Sequence, residues 1–367
     1  MTEIDEAMLR VASGSHFIMG QEVKSLEAEL AAYVGTKHCI TCANGTDALQ
    51  IALKVWGVGP GDAVFVPDFT FFSTAEVVSA EGATPIFVDV SRETFNISVP
   101  DLEKAIAEVS QAGLLKPKAI IAVDLFGLPA DFAALKKTAE RHGLYLLEDG
   151  AQGFGGAIDG KRACSFGHIS TTSFFPAKPL GCYGDGGAIF TDNDLWAGLA
   201  DSYRVHGKGH HKYQNVRIGM NSRLDTIQAA ILQVKLKAFI RYELDAVNRA
   251  AMFYNELFAS ENIPAGTLAL PSVPRGFTSS WAQYTVILSD TALRSSLQQT
   301  LSERDIPSMI YYPTPLSRQE AFAALDNRPC PVASRLCDTV LSLPVHPYIT
   351  PDEQRTVVKA IAEHING

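Results

Sequence analysis

Ser173-Phe-Phe-Pro-Ala-Lys178-Pro-Leu-Gly-Cys-Tyr-Gly-Asp-Gly-Gly187 places one lysine among aromatics, prolines and glycines, just past a strand-like run at Ile169–Phe174. Upstream, Leu144-Tyr-Leu-Leu-Glu-Asp149-Gly-Ala-Gln152 carries a second apolar strand, Leu144–Leu147, that runs into acids and a glutamine. Further strands read at His38–Cys42, Ala63–Pro67, Thr84–Asp89, Ala119–Val123 and Gly187–Thr191. Helices lie between several of them. Val23, Leu26, Leu30 and Val34 recur every three or four residues until Gly35 stops the run, and Phe132–His142 behaves alike. Continuous apolar strands alternating with helices predict an α/β fold, a mostly parallel sheet covered on both faces with right-handed crossovers.

From Arg223 onward the pattern changes. Leu224, Ile227, Ile231 and Val234 begin one long helical stretch that continues through Leu257. Beyond it come Pro271–Arg275, a strand at Tyr284–Leu288, a helix near Ala292–Arg304 and the proline-rich Tyr311–Leu316. The expected division is a large domain over residues 1–240 and a smaller C-terminal α+β domain over 241–367.

Bulk composition narrows the functional classes. The chain has 367 residues, 47% hydrophobic and 19% charged, with a net charge of −9. That supports a large core and argues against general nucleic-acid binding, which draws its affinity from clustered positive charge. No apolar run reaches the roughly 18 residues that span a bilayer. The acidic start Met1-Thr-Glu-Ile-Asp-Glu lacks a signal-peptide pattern, so a cytoplasmic protein is expected. Gly57–Gly61 is no dinucleotide fingerprint, since it precedes a strand and contains Pro60. Cys39-Ile-Thr-Cys42 has redox spacing, but Cys39 lies within a strand and no second metal-ligand set accompanies it. Buried, inert thiols and no metal site are expected.

In an open parallel sheet, ligands gather beyond the carboxyl ends of the strands. Asn44-Gly45-Thr46 joins such an end to a helix start, where free amides favour a phosphate, although a plain capped helix would look the same. Asp149 follows buried residues and needs a cationic partner unless it merely caps the next turn. Gln152 can reach the same place, and Ser173 is a second candidate phosphate ligand. Lys178, flanked by Pro176, Pro179 and Gly181, is not on an amphipathic face; to attack an aldehyde it must be neutral, its pKa lowered by burial or neighbouring charge. A lysine able to form an imine and a buried carboxylate able to hold a protonated pyridine nitrogen are the requirements of pyridoxal phosphate (PLP) chemistry. One of Phe69, Phe71 and Phe72 could stack on such a ring, or all three could be core. Between Tyr203 and Arg217 there is no acid, but there are Arg204, Lys208, Lys212, Arg217, His206, His210 and His211. This suits an anionic substrate; a solvated basic loop is the alternative.

These pieces in this order resemble the DegT/DnrJ/EryC1/StrS family of PLP-dependent nucleotide-sugar aminotransferases, over about Phe17 to His364. The resemblance rests on Ala43-Asn-Gly-Thr-Asp-Ala-Leu49, Glu148-Asp-Gly-Ala-Gln152, Ser173–Gly187 and Gly219-Met-Asn-Ser-Arg-Leu-Asp-Thr-Ile-Gln-Ala-Ala230. It implies a fold-type I homodimer with active sites at the subunit interface. By matching positions, Lys178 is the imine lysine, Asp149 the pyridinium partner and Gln152 a ring contact. Gly45, Thr46 and Ser173 hold the phosphate, Asn221 reaches it from the other subunit, and Phe71 stacks on the ring. Cys182, Asn221-Ser-Arg-Leu-Asp-Thr226 and Trp281-Ala-Gln-Tyr-Thr285 resemble the branch that aminates C3 of UDP-2-acetamido-2-deoxy-3-oxo-glucuronate. L-glutamate is the donor there, 2-oxoglutarate leaves, and bacterial surface polysaccharide such as O-antigen is the destination. Arg223 would bind the sugar carboxylate.

The chain departs from that branch in two places. Tyr311-Tyr312-Pro313 stands where the branch has His-Tyr-Pro, so Tyr311 and Tyr312 are expected substrate contacts with one of them altered. The lead-in before Phe17 is shorter than the family's, as a truncation would make it. Alternatives are a 4-keto-6-deoxy-sugar aminotransferase, a catalytically silent nucleotide-sugar sensor or scaffold, and a plain nucleotide-binding module. The family's dehydratase branch has histidine in place of the lysine, so Lys178 speaks against it.

Overall fold

The computed structural model describes residues 2–211 and 213–367. Among the described residues, nine strands arise by Thr191. They are β1 (His38–Cys42), β2 (Asp62–Pro67), β3 (Thr84–Val88), β4 (Lys116–Val123), β5 (Tyr145–Asp149), the short β6 (Ala157–Ile158) and β7 (Lys161–Arg162), β8 (Ile169–Ser173) and β9 (Gly187–Thr191). Seven of these form one sheet in the order β1-β9-β8-β5-β4-β2-β3. The interior positions of β2 and β4 are apolar and often β-branched, whereas β8 buries Ser170, Thr171 and Thr172. Val64, Phe65, Val66, Ile120 and Ile121 have no solvent exposure, each contributing about 1.5–3 kcal/mol of burial.

Within this sheet the pairings β2–β3, β2–β4, β4–β5 and β5–β8 are parallel, whereas β9 runs antiparallel to both β8 and β1. Six strands therefore share one direction, and their carboxyl ends lie along one edge. Only β9 opposes them. Its reversal follows from the connection: residues 174–186 join β8 to β9 without a crossover helix, and a parallel return would need one.

Helices cover the sheet where the sequence places them. Asn44 caps Gly45–Val55 by accepting from the Asp47 amide at 2.8 Å. The helix Phe132–His142 ends at Gly143, whose φ of 64° is the left-handed conformation that closes a helix with little strain in glycine. The predicted long helix is interrupted. Thr226–Ala238 passes through a π-helical turn at Phe239–Glu243 before Leu244–Ser260 resumes. The wider turn lies where Phe239 packs inward beside Tyr33 and Phe154, with ring centroids at 6.3 and 5.7 Å. Apolar periodicity continues straight through it, so the interruption was invisible to that signal.

Beyond residue 260 the chain adds β10 (Leu268–Ala269), β11 (Phe277–Thr278), β12 (Tyr284–Leu288) and β13 (Val340–Leu343). The antiparallel sheet β10-β12-β13 packs against Thr291–Glu303 and Pro331–Thr339, Pro351–Asn366 lies on Thr291–Glu303 and Leu244–Ser260, and β11 extends the β6–β7 ribbon. One apolar cluster unites Phe154 and Phe174 beside the large sheet with Tyr254, Tyr284, Leu297 and Ile361 of this part. The N-terminal helix Thr2–Gly14 lies on Thr226–Ala238 through Ala7, Val11 and Ala230. No helix among the described residues is long and apolar enough to cross a membrane.

Candidate active site

A cavity of about 650 Å³ opens at the shared carboxyl edge of the sheet. It is lined from the ends of β1, β2, β5 and β8 together with the Tyr311–Tyr312 segment. Gly45, Thr46, Phe71, Asp149, Gln152, Ser173, Lys178, Tyr311 and Tyr312 all face it. Residues far apart in the chain thus meet because six strands end on one side.

At one end of the cavity, Gly45 opens a helix whose first amides have no acceptor within the helix. A Cβ on Gly45 would come within 2.7 Å of Ser173 Cβ, so only glycine allows the two segments to approach. Thr46 Oγ1 lies 2.9 Å from Ser73 Oγ. Amides, hydroxyls and a helix N-terminus make this end suited to an anion.

Asp149, 5% exposed, ends β5. Its carboxylate accepts from Thr74 Oγ1 at 2.9 Å and from the Ala151 amide at 3.2 Å. Burial raises its pKa, and the two donors and the charge of Lys178 only partly oppose that. Lys178 lies on the β8–β9 loop, its amide bonded to the Phe175 carbonyl at 2.9 Å. Burial pushes its amine down while the Asp149 carboxylate pulls it back up. The two groups interact across the cavity without forming a contact ion pair. Burial thus disfavours the charged form of each, a penalty that a bound group of complementary charge would relieve.

Gln152 is clamped: its Oε1 accepts from the Phe126 amide at 2.8 Å, and its Nε2 donates to the Tyr312 hydroxyl at 3.1 Å. Burial raises the Tyr312 phenol well above its ordinary range, so it stays protonated. The three phenylalanines separate by environment. Phe69 is 1% exposed in the core, Phe72 packs on Phe322 with ring centroids at 5.3 Å, and Phe71 is 54% exposed at the cavity wall. Strand-end position alone could not distinguish them.

Asn221 and Arg223 do not line this cavity. Asn221 is exposed and Arg223 half-buried, and no ion pair of Arg223 occurs among the described residues. The basic segment is not an open field of charge. Arg204 is 4% exposed and spent inside the fold, at 2.6 Å from both Glu27 Oε1 and Asp201 Oδ1 and bonded to the Thr41 carbonyl. Arg217 covers the Tyr203 ring at 5.6 Å and donates to Ser202 Oγ. Lys208, His206, His210 and His211 are exposed, and Lys212 lies outside the described residues. The six cysteines are buried and free, with burial pushing the Cys42 thiol up to about 12, as inert thiols require.

Ser73, Thr74 and Gln283 are among the residues of the site that were not anticipated. Ser73 and Thr74 touch Thr46 and Asp149, but small hydroxyl residues at a helix start read as ordinary caps. Gln283 lines the cavity, and its buried Oε1 has no hydrogen-bond partner among the described residues. Its place in Trp281-Ala-Gln-Tyr-Thr285 was the only available signal.

Residues 1–362 match the DegT/DnrJ/EryC1/StrS aminotransferase family. The chain is 43% identical over 347 residues to the UDP-2-acetamido-2-deoxy-3-oxo-D-glucuronate aminotransferase of Pseudomonas aeruginosa, covering 95% of this chain and 92% of that protein. It is 38% identical over 365 residues to the UDP-N-acetyl-3-dehydro-alpha-D-glucosamine 3-aminotransferase of Acidithiobacillus ferrooxidans, covering 100% and 94%. A DegT/DnrJ/EryC1/StrS aminotransferase crystal structure from Brucella abortus superposes with a TM-score of 0.95 at 45% identity, covering 100% of this chain and 96% of that one. This chain is a member of the DegT/DnrJ/EryC1/StrS aminotransferase family.

Proposed function

We propose that this aminotransferase binds PLP in the 650 Å³ cavity and moves an amino group from L-glutamate to UDP-2-acetamido-2-deoxy-3-oxo-glucuronate at C3. The observation that carries the reading is the meeting of Lys178 and Asp149 in one cavity that has an anion-suited end. The residues fit the cofactor part by part. Gly45, Thr46 and Ser173 take its phosphate, Asp149 its ring nitrogen, Phe71 its ring face and Gln152 a ring substituent. When bound, the cofactor supplies an electron sink that makes the Cα–H of an amino acid acidic.

The chain's own residues then handle protons. Lys178 would hold the cofactor through its amine and, when free, would be the general base and acid at the reacting carbon. Its burial favours the neutral amine needed for both tasks. Asp149 would be held anionic against its own burial by a protonated ring nitrogen, with the Thr74 hydroxyl and the Ala151 amide already donating to its carboxylate. Tyr312, fixed through Gln152, stands beside Phe71 at the cavity wall, ring centroids at 6.2 Å. Tyr311 stands beside it as a substrate contact.

The sugar assignment rests on the C3-aminating relatives and on Arg223. A half-buried guanidinium without an ion pair is suited to a carboxylate, with bidentate geometry. In this reading Arg223 and Asn221 of one copy complete the cavity of a second, as a homodimer with shared sites allows. Purified protein incubated with glutamate and a panel of 3-keto and 4-keto UDP- and dTDP-sugars tests it. Preferred turnover of the 3-keto uronate supports the assignment. Preferred turnover of a 4-keto-6-deoxy sugar would move the chain to a different branch. No bleaching of the cofactor band by glutamate would mark a silent sensor.

A further inference from the structure

The helix Ser73–Ala80 begins with two successive hydroxyl residues that serve different ends of the cavity. Ser73 Oγ meets Thr46 Oγ1 at 2.9 Å, and Thr74 Oγ1 donates to Asp149 Oδ2 at 2.9 Å. Thr74 and Asp149 are 1% and 5% exposed, so their bond is shielded from bulk water, while Ser73, 6% exposed, and the half-buried Thr46 meet at the cavity wall. A carboxylate only accepts, so the single Thr74 proton is committed to Asp149. Thr70 Oγ1, 3.4 Å from Thr74 Oγ1, must then be the donor of that pair. The result is a directed chain, Thr70 to Thr74 to Asp149, in which each bond strengthens the next. Thr70 itself faces the cavity.

We propose that Ser73 and Thr74 form one positioning device, in which a single helical turn sets the phosphate-binding hydroxyl and the ring acid at a fixed separation. Thr74 aims the Asp149 oxygen and favours its anionic form, while Ser73 aims the Thr46 hydroxyl. The inference rests on the PLP reading above and deepens it. Neither residue is a catalytic residue, because each acts through another side chain.

The test compares Thr74→Val, Thr74→Ser and Ser73→Ala with wild-type holoenzyme. A wild-type protein without a cofactor absorption band would defeat the PLP reading itself, so that failure is distinguishable. With the band present, Thr74→Val weakens the anion beneath the ring. The pH midpoint of the band moves up by on the order of one unit. Turnover drops on the order of tenfold, the scale of one charge-assisted hydrogen bond, with the glutamate KM within about twofold. Thr74→Ser keeps the hydroxyl and restores both readouts. Ser73→Ala leaves the midpoint in place and speeds cofactor loss on dialysis by on the order of tenfold. Thr74→Ala provides the same comparison if the second valine methyl does not fit. A wild-type midpoint in Thr74→Val or Thr74→Ala, or equal impairment in Thr74→Ser, would overturn the proposal.

Discussion

Two groups of charge in this molecule were equally conspicuous as sequence, and they end in opposite situations. Arg204 of the basic stretch is enclosed by Glu27, Asp201 and Thr41, and its guanidinium pKa is raised by those acids. Asp149 is also buried and Lys178 half-buried, but both titrations are shifted against the charged form. The first arrangement spends its charge on holding the fold together. The second leaves charge unsatisfied around a cavity, at a cost to stability. A buried ion matched by its neighbours is a strut, and one left wanting is a candidate for function.

The contrast can be broken at four points, taken here from the largest effect on activity to the smallest. Lys178→Ala should remove the visible cofactor band and lower turnover by on the order of 10⁴-fold or more, measured with glutamate and keto-sugar. Full turnover in that variant would end the argument. Asp149→Asn should reduce turnover by on the order of 10²- to 10³-fold, as loss of a preorganised electrostatic partner does.

The same variant has a stability signature of opposite sign. The Asp149 pKa is raised on folding, so between its unfolded and folded values the native state binds more protons. Stability therefore falls as pH rises through that window. Cofactor-free Asp149→Asn should melt at or above cofactor-free wild type at neutral pH. A clear drop in melting temperature would mean that the acid is a strut after all.

Arg223→Ala should cost about 10- to 100-fold in kcat/KM for a uronate substrate, the worth of a charge-assisted pair, and little for the 6-hydroxymethyl analogue. Equal losses on both would assign Arg223 to structure. Arg204→Met should leave turnover per folded molecule within about twofold while removing about 2–3 kcal/mol of stability by denaturant unfolding. This lies below the range for a fully buried pair because Asp201 is largely exposed.

The legible part of this protein was what local chemistry dictates. Strand cores such as Ala63–Val66 and the capped start at Asn44 stand out because their apolar runs and caps are local. Lys178 and Asp149 stand out because their residue types are wrong for their surroundings. What escaped depends on three-dimensional company. The reversal of β9 follows from the absence of a crossover helix, which no periodicity marks. Arg204 looked like an offered charge until Glu27, Thr41 and Asp201 folded around it. Thr74 was silent because a threonine at a helix start is unremarkable until an aspartate from another strand arrives 2.9 Å away. Phe71 differs from Phe69 only in which way a strand end turns.

The most direct measurement is borohydride reduction of the purified, cofactor-loaded protein followed by peptide mass spectrometry. The account predicts a stable phosphopyridoxyl group on the peptide containing Lys178 and on no other lysine, abolished by prior addition of glutamate. Modification of a different lysine, or none in a protein that still turns over, would contradict it.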